Sequence, residues 1–216
     1  MTSNNCAIIA CEMLEDELAY VMRIHGCDMP ITWLDRGLHD TPKRLQAQLE
    51  AAIKKYAAYP TVLLAITLCG NALEGVGSAT SRLIIPRFHD CIQMQLACER
   101  NAYSLYWTRG WLLGDQSFEA EYLRACKKYG EEKAMLVYRL MLKNYTSITM
   151  VDTGAYNIEE SMDIPRAFAE RFDLRLSTCK GSMRVLDKLV SGQWDEEFYT
   201  LEPGETCSLT HFLSDT

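Results

Sequence analysis

Three of the nine cysteines stand where buried strands are predicted to end. Cys11 and Cys69 each follow a short apolar run, and Cys91 comes shortly after a third such run. Short runs of this composition are typical of parallel strands, and ligands of open α/β sheets bind where such strands end. We therefore expect the three thiols to converge at one sheet edge, on the order of 4 Å apart if they share a zinc ion.

His89 and Asp90 directly precede Cys91 and add an imidazole and a carboxylate to the same edge. In an extended segment residues two apart point to the same side, so His89 and Cys91 suit a single ion. Zinc accepts imidazole and thiolate ligands, and a catalytic zinc keeps one position open. We predict a metal site formed by Cys11, Cys69, Cys91 and His89, with His89 and Asp90 as candidate catalytic groups.

Three alternatives to zinc remain open for these residues. The first is an iron–sulfur cluster held by the three cysteines, with its fourth iron site open or held by another group. The second is a set of buried thiols without chemistry, because cysteine is among the most buried residue types. The third is a reactive thiol without metal, in which a helix dipole lowers the pKa of Cys69 and His89 acts as its base.

Other residues with binding chemistry follow later predicted strands. Arg109, a third candidate catalytic residue, can hold a carboxylate through two hydrogen bonds, and the nearby Trp111 can cover a cation or an apolar group. The competing interpretation of Arg109 and Trp111 is a surface arginine beside a packed tryptophan. Asp152, at the end of a predicted strand, could orient a ligand, and its competing interpretation is a helix-capping loop. The region around Gly181 precedes a helix whose N-terminus could bind an anion. The predicted cofactor-binding residues are Gly70, Asn71, Trp111, Asp152 and Gly181.

Strand-like runs alternate with helical periodicity along the chain. This alternation predicts an α/β fold: a mostly parallel sheet with helices on both faces, Rossmann-like in outline. No linker is evident, so we expect a single domain over residues 1–216, with a loose tail from about residue 205. The predicted strands cover residues 7–10, 31–34, 62–68, 83–86, 104–108, 147–151, 172–176 and 197–201.

The composition narrows the classes of function. The net charge over 216 residues is −7 and basic residues form no long run, which argues against a nucleic-acid or anionic-membrane partner. The N-terminus lacks signal-peptide features and no apolar run approaches about 20 residues, so we predict a cytoplasmic protein. Nine irregularly spaced cysteines without a CxxC pair indicate thiols that are free or bound to metal in a reducing compartment.

Short segments spread from about residue 6 to about residue 204 resemble one family. They are Ala10-Cys11-Glu12, Leu38-His39-Asp40, Leu68-Cys69-Gly70-Asn71, Ile85-Pro86-Arg87-Phe88-His89-Asp90-Cys91-Ile92, Lys128-Tyr129-Gly130 and Asp152-Thr153-Gly154. Together they resemble the family called domain of unknown function 1638, and the segment ending in Asp90-Cys91-Ile92 is the most specific. The resemblance implies a setting in one-carbon metabolism, beside corrinoid-dependent methyltransferases for methylamines and related compounds. It supplies no catalytic residues.

The resemblance and the thiols together favour a cytosolic metalloprotein of methyl or one-carbon metabolism with a small-molecule substrate. Corrinoid methyltransferases that methylate thiols bind zinc through an H-x-C pair and a distant cysteine, which is similar in ligand type to the cysteines and His89. Zinc or an iron–sulfur cluster is the expected cofactor, and a corrinoid is expected only through a partner protein. If the chain is an enzyme, we expect a metal-dependent methyltransferase. The alternative is a non-catalytic binding or accessory protein for a corrinoid protein or methyltransferase.

Overall fold

The structure, a computed structural model, describes residues 5–69, 71–97 and 99–213. The strands are β1 (Cys6–Cys11), β2 (Ile31–Leu34), β3 (Thr61–Ala65), β4 (Arg82–Pro86), β5 (Ser104–Trp107), β6 (Ser147–Asp152), β7 (Arg175–Lys180) and β8 (Phe198–Leu201). The helices are α1 (Glu15–Ile24), α2 (Pro42–Lys55), α3 (Cys91–Gln95), α4 (Arg109–Leu112), α5 (Phe118–Tyr129), α6 (Glu131–Leu142), α7 (Asp163–Phe172), α8 (Arg184–Ser191) and α9 (Thr210–Leu213).

The chain divides into two compact units, each built on its own sheet. Unit 1 contains Met1–Gln95 and Met183–Thr216, and unit 2 contains Leu96–Ser182. The predicted α/β class, with mostly parallel strands flanked by helices, is confirmed. The strands form two sheets where the sequence suggested one. These units are defined by contacts within the chain. The single domain expected over residues 1–216 stays a prediction.

The sheet of unit 1 has the strand order β2-β1-β3-β4-β8. β1 pairs in parallel with β2 and β3, and β3 pairs in parallel with β4, whereas β8 runs antiparallel to β4. Because β2 and β3 lie on opposite sides of β1, the strand order reverses between β1 and β3. Ligands of open α/β sheets bind in the crevice that such a reversal opens beyond the C-terminal strand ends.

Helices cover both faces of the unit 1 sheet. Ala7 and Ile9 of β1 belong to a core cluster with Leu49 of α2, whereas Ile8 belongs to a second cluster with Leu18 of α1 and with α8. Successive strand residues point to opposite faces, so a strand covered on both sides needs apolar residues throughout. This requirement explains why all six residues of β1 are buried.

The sheet of unit 2 is parallel throughout and has the order β5-β6-β7. An aromatic core includes Trp107 and Phe168, whose ring centroids are 5.2 Å apart. A row of hydroxyls crosses the three strands. Ser104 Oγ lies 2.7 Å from Thr149 Oγ1, which lies 3.1 Å from Ser177 Oγ. Mutual hydrogen bonds of this kind satisfy the buried hydroxyls of Ser104 and Thr149, and the row ends at the exposed Ser177.

Two strand boundaries differ from the sequence prediction. β3 ends at Ala65, three residues before the predicted end at residue 68. β7 covers Arg175–Lys180, whereas the sequence predicted residues 172–176. Helix α7 continues to Phe172, and Asp173 then adopts a left-handed conformation with φ of +55°, which ends the helix and delays the strand. Cys179 therefore lies inside β7 and not after it.

The C-terminal segment is attached to unit 1 as far as the structure describes it, in contrast to the loose tail expected from the sequence. The backbone N–H of Cys207 donates to the carbonyl of Val76 (2.7 Å), and the N–H of Gly75 donates to the carbonyl of Cys207 (2.8 Å). Cys207 is only 1% exposed. Main-chain pairing with a distant loop, which the sequence does not reveal, holds this segment in place.

In the part of the chain that the structure describes, no helix has both the length and the apolar character that crossing a membrane requires.

Candidate thiol site

Three thiols follow neighbouring parallel strands in unit 1. Cys11 is the last residue of β1, Cys69 follows β3, and Cys91 begins α3 after β4. Burial raises the pKa of Cys91 well above its ordinary value, and the charges of Cys69 and Cys11 raise it further. Cys69 also raises the pKa of Cys11. The three sulfurs therefore lie within electrostatic range of one another, beside the point where the strand order reverses.

Cys11 is almost completely buried, with 3% of its surface exposed. Its sulfur accepts a hydrogen bond from the N–H of Met13 at 3.5 Å and so caps a short 3-10 turn. Burial is the main cause that raises the pKa of Cys11 to about 12, although this hydrogen bond lowers it. A desolvated thiol keeps its proton because the thiolate loses the stabilisation that water provides. Cys11 is therefore protonated at neutral pH.

The loop after β3 carries backbone strain at the second thiol. Cys69 has φ of +37° and Asn71 has φ of +70°, a region that side-chain-bearing residues seldom adopt. The fully buried Thr67 places its hydroxyl 3.2 Å from the Cys69 sulfur. The pKa of Cys69 is raised by burial, with Thr67 acting in the opposite direction. Such strain persists where the surrounding structure holds it and clusters at functional sites.

Asn71 and Gly70, both predicted to bind a cofactor, differ in what the structure shows. Asn71 is exposed, and its carbonyl accepts a hydrogen bond from the N–H of Glu74 at 3.1 Å. Gly70 lies outside the described residues.

A main-chain hydrogen bond connects the second thiol to the third. The N–H of Leu68, just before Cys69, donates to the carbonyl of Phe88 at 3.2 Å. This bond ties the loop after β3 to the loop that leads into α3, and hence the second thiol to the third.

Asp90 and His89 occupy different environments at the start of α3. The Asp90 carboxylate accepts a hydrogen bond from the N–H of Gln93 at 2.7 Å, and its charge raises the pKa of both Cys69 and Cys91. His89 is exposed, and its backbone N–H donates to Oε1 of Gln93 at 3.0 Å. Asp90 thus caps the helix and opposes ionisation of two of the thiols. The catalytic roles of both residues stay predictions.

Two buried polar side chains at this site were missed by the sequence analysis. Glu17 of α1 is 1% exposed, and its charge raises the pKa of Cys91. Its position among the apolar residues of an amphipathic helix was the available signal. Gln95 is also 1% exposed, and its amide nitrogen and oxygen have no hydrogen-bond partner within the described residues. It stands four residues after Cys91, on the same side of α3. No sequence pattern distinguishes Gln95.

The thiols suit a soft metal by donor type but do not already form a ligand shell. Cysteine sulfurs bind zinc, copper(I) and iron–sulfur clusters. Within residues 5–69, 71–97 and 99–213, no three His, Cys, Asp or Glu side chains are arranged to hold a metal ion. Binding would therefore require side-chain movement. The donor chemistry fits such a group, and the shared ion predicted from the sequence stays a prediction.

Arg109 and Trp111, both in unit 2, lie in different surroundings. Trp111 stacks on Trp107 with ring centroids 5.0 Å apart, so it packs against the core. The guanidinium carbon of Arg109 lies 5.8 Å from the centroid of the Tyr156 ring. Arg109 and two carboxylates, Glu160 among them, line a cavity of about 380 Å³. The substrate-clamping role of Arg109 stays a prediction.

Asp152 and Gly181, the remaining predicted binding residues, lie together at the end of β6 and β7. The N–H of Gly181 donates to the carbonyl of Asp152 at 2.7 Å, and Asp152 Oδ1 accepts from the N–H of Gly154 at 3.0 Å. Both residues line a cavity of about 360 Å³. The other residues of its lining are Thr153, Gly154, Thr178, Cys179 and Lys180.

Packing gives Gly181 a structural reason to be glycine. A Cβ atom there would lie 2.8 Å from Val151 Cγ1, 2.9 Å from Thr153 Cγ2 and 3.1 Å from the Asp152 carbonyl oxygen. We expect Gly181→Ala to lower the free energy of unfolding by about 1–3 kcal/mol through overpacking, measured by urea denaturation. Lys180→Ala, at the exposed neighbour, is the control and should change it by less than about 0.5 kcal/mol. Equal stabilities for the two variants would contradict this account.

Comparison with known proteins yields one match. No curated protein and no solved structure matches the chain. The family model described as "Protein of unknown function (DUF1638)" matches residues 33–190. This range includes Cys69 and Cys91 but begins after Cys11, and it is shorter than the span of about residues 6 to 204 expected from the resemblance. The match covers well over half of the sequence, and the chain belongs to the DUF1638 family.

Proposed function

We propose that the chain is a cytosolic metalloprotein of methyl or one-carbon metabolism, in which Cys11, Cys69 and Cys91 hold zinc or an iron–sulfur cluster. The observation that carries the proposal is the group of three thiols that lie within electrostatic range of one another beside the reversal of strand order. That reversal is where ligands of open α/β sheets bind. The strained backbone at Cys69 adds support, as does the Gln95 amide, which has no hydrogen-bond partner among the described residues. Both features are unusual away from functional sites.

The electrostatics of the thiols favour a cation over a bare nucleophile. Burial raises all three pKa values, and the charges of Asp90 and Glu17 add to the effect at Cys91. Protonated thiols are poor nucleophiles, so a metal-free thiol mechanism is disfavoured at neutral pH. A soft cation displaces the protons and offsets the mutual repulsion of the thiolates. Zinc held by the three cysteines would keep one position open, where it would favour the anion of a substrate thiol.

The residues of this chain would then have separate tasks. The three cysteines would give up their protons and hold the ion. Asp90 would fix the first turn of α3, which carries Cys91, through its bond to Gln93. The Gln95 amide, with donors and an acceptor, would bind a polar group of the small-molecule substrate. Removal of water from this buried edge would strengthen each of these interactions.

Metal analysis of protein purified without oxygen tests the proposal. We expect about one zinc per chain, or iron with inorganic sulfide and a brown colour. Cys69→Ser and Cys91→Ser should each lose most of the bound metal. The matched control is Cys27→Ser, a partly buried thiol of the same unit, which should keep it. Protein without zinc or iron after remetallation in the absence of oxygen would overturn the metal proposal, as would equal metal in all three variants.

The second candidate function is a non-catalytic accessory protein that binds a corrinoid protein or methyltransferase. It is favoured by the absence, within the described ranges, of three donors already placed around an ion. An acidic chain with net charge −7 can meet a basic partner surface. A pull-down with the corrinoid protein that persists in Cys91→Ala would support this candidate. Loss of capture together with loss of metal would favour the first.

A further inference from the structure

A cavity in unit 2 combines charges of both signs with apolar side chains. Its volume is about 380 Å³, and its charged lining consists of Arg109, Glu160 and Asp163. The elements that form it follow two strands of one parallel sheet. Helix α4, which carries Arg109, comes after β5, and the turn that carries Glu160 comes after β6. Ligands of open α/β sheets bind beyond the carboxyl ends of the strands, so this cavity is a candidate ligand site.

Tyr156 holds Arg109 in place at this cavity. The backbone N–H of Arg109 donates to Tyr156 Oη at 3.2 Å, and the same hydroxyl donates to the carbonyl of Val151 in β6 at 2.9 Å. The guanidinium also lies near the face of the Tyr156 ring. A guanidinium has five N–H donors, so two of them can bind a carboxylate while the others keep contacts within the protein. Arg109 is therefore positioned to bind an anionic group of a ligand.

The two carboxylates of the cavity differ in the charge that they offer to a ligand. Glu160 Oε1 accepts a hydrogen bond from the side-chain amide of Asn157 at 3.1 Å. This neutral donor orients the carboxylate and leaves its negative charge in place. Asp163 Oδ1 accepts from the guanidinium of Arg166 at 3.2 Å, so a positive charge offsets it. Glu160 is therefore the better partner for a cationic group of a ligand.

The rest of the cavity lining is mainly apolar and partly open to water. Leu112, Leu113 and Ile164 belong to it, and the exposed fractions of Leu113 and Ile164 are 61% and 43%. Removing such apolar surface from water is favourable in proportion to its area. A ligand with an apolar group beside its charges would cover these side chains, whereas a purely polar ligand would gain nothing from them.

We propose that this cavity binds a small zwitterion with an apolar side chain, namely an aliphatic α-amino acid. Arg109 binds its carboxylate, Glu160 binds its ammonium group, and Leu113 and Ile164 contact its side chain. The volume lies near the lower end of the roughly 300–1,000 Å³ of ligand pockets, which suits a molecule of this size. Like charges disfavour a lone anion beside the carboxylates and a lone cation beside the guanidinium. No cysteine takes part in these contacts, so binding here does not depend on the proposed metal.

Isothermal titration calorimetry of the full chain with L-leucine tests the proposal. Two probes of the same carbon skeleton lack one charge each: 3-methylbutylamine has no carboxylate, and 4-methylpentanoate has no ammonium group. We expect L-leucine to bind with a Kd below about 1 mM. Each probe should bind at least about tenfold more weakly, because one charge-assisted hydrogen-bonded pair is lost. The proposal is overturned if L-leucine, L-isoleucine and L-valine all fail to bind, or if either probe binds as tightly as L-leucine.

Two pairs of variants assign the charges of the ligand to residues of the cavity. Arg109→Met should weaken L-leucine binding at least about tenfold, whereas Arg124→Met, at an arginine of α5 outside the cavity, should leave it unchanged. Glu160→Gln should weaken it to a similar extent. Its matched control is Glu159→Gln, which removes the neighbouring exposed carboxylate outside the cavity lining and should bind as wild type. Circular dichroism checks that each variant is folded, and equal affinities in a folded variant and its control would refute the assignment.

Discussion

Cys11 in the folded, metal-free protein is expected to react far more slowly with an alkylating reagent than the same cysteine in unfolded protein. Burial raises its pKa from an ordinary 9.0 to about 12. At neutral pH this lowers the fraction of reactive thiolate about a thousandfold. Reaction with iodoacetamide, followed by mass spectrometry of the peptide that contains Cys11, measures the effect, and the protein in urea supplies the reference rate.

The pH dependence of that reaction separates ionisation from simple obstruction. A raised pKa predicts a rate that still increases between about pH 9 and about pH 10, where an ordinary thiol has begun to level off. A slow rate that levels off near pH 9 would contradict the raised pKa. If the proposed zinc is bound, the metal would replace the proton, and the rate would no longer follow this titration.

The same shift predicts how stability changes with pH. The unfolded chain loses the Cys11 proton near pH 9, whereas the folded chain keeps it until about pH 12. The folded state therefore binds more protons across this interval, and stability falls as pH rises. The contribution is fully present below about pH 9 and is lost as pH approaches 12. Denaturation of metal-free protein at pH 8 and pH 10, compared with Cys11→Ala, should show a smaller pH effect in the variant.

Phe168→Ala is expected to be among the most destabilising single substitutions in unit 2. Phe168 is completely buried, and its ring centroid lies 4.6 Å from that of Phe172 and 5.2 Å from that of Trp107. Removing a buried aromatic ring loses its transfer free energy and leaves a cavity, which together cost about 3–5 kcal/mol. Urea denaturation followed by circular dichroism measures the loss.

Two further variants make the Phe168 prediction specific. Ile164→Ala changes the same helix at a residue that is 43% exposed, and it should cost much less. Phe168→Leu keeps most of the buried volume and should fall between the two. If Phe168→Ala and Ile164→Ala cost the same, Phe168 does not occupy the centre of the aromatic core.

Local sequence patterns were sufficient to establish the fold class and the general position of the three thiols. Apolar runs of four to seven residues between helical segments specify buried parallel strands, because only strands covered on both faces are apolar throughout. Cys11, Cys69 and Cys91 follow such runs, and parallel strands end at a common edge. Both conclusions depend on the composition and order of short segments, which can be read directly along the chain.

The burial of Glu17 and Gln95 could not be predicted in this way. The spacing of Gln95 does not distinguish a buried polar side chain from an exposed one, and Glu17 is marked only by its place on the apolar face of α1, which does not by itself establish burial. Burial depends on which elements pack above a residue, and that is decided by contacts between distant parts of the chain. The attachment of residues near Cys207 to the loop at Val76 has the same origin. It rests on main-chain hydrogen bonds, which carry little side-chain signal.

The division of the strands between two sheets depends on tertiary contacts alone. β8, from the C-terminal part of the chain, pairs with β4 and occupies the edge of the unit 1 sheet. β5, β6 and β7 form a sheet of their own. Apolar content specifies that a strand is buried but not which strand lies beside it, because any backbone can offer the same hydrogen bonds to any other. The choice of neighbour is fixed by the packing of whole elements, and that information is spread over the entire sequence.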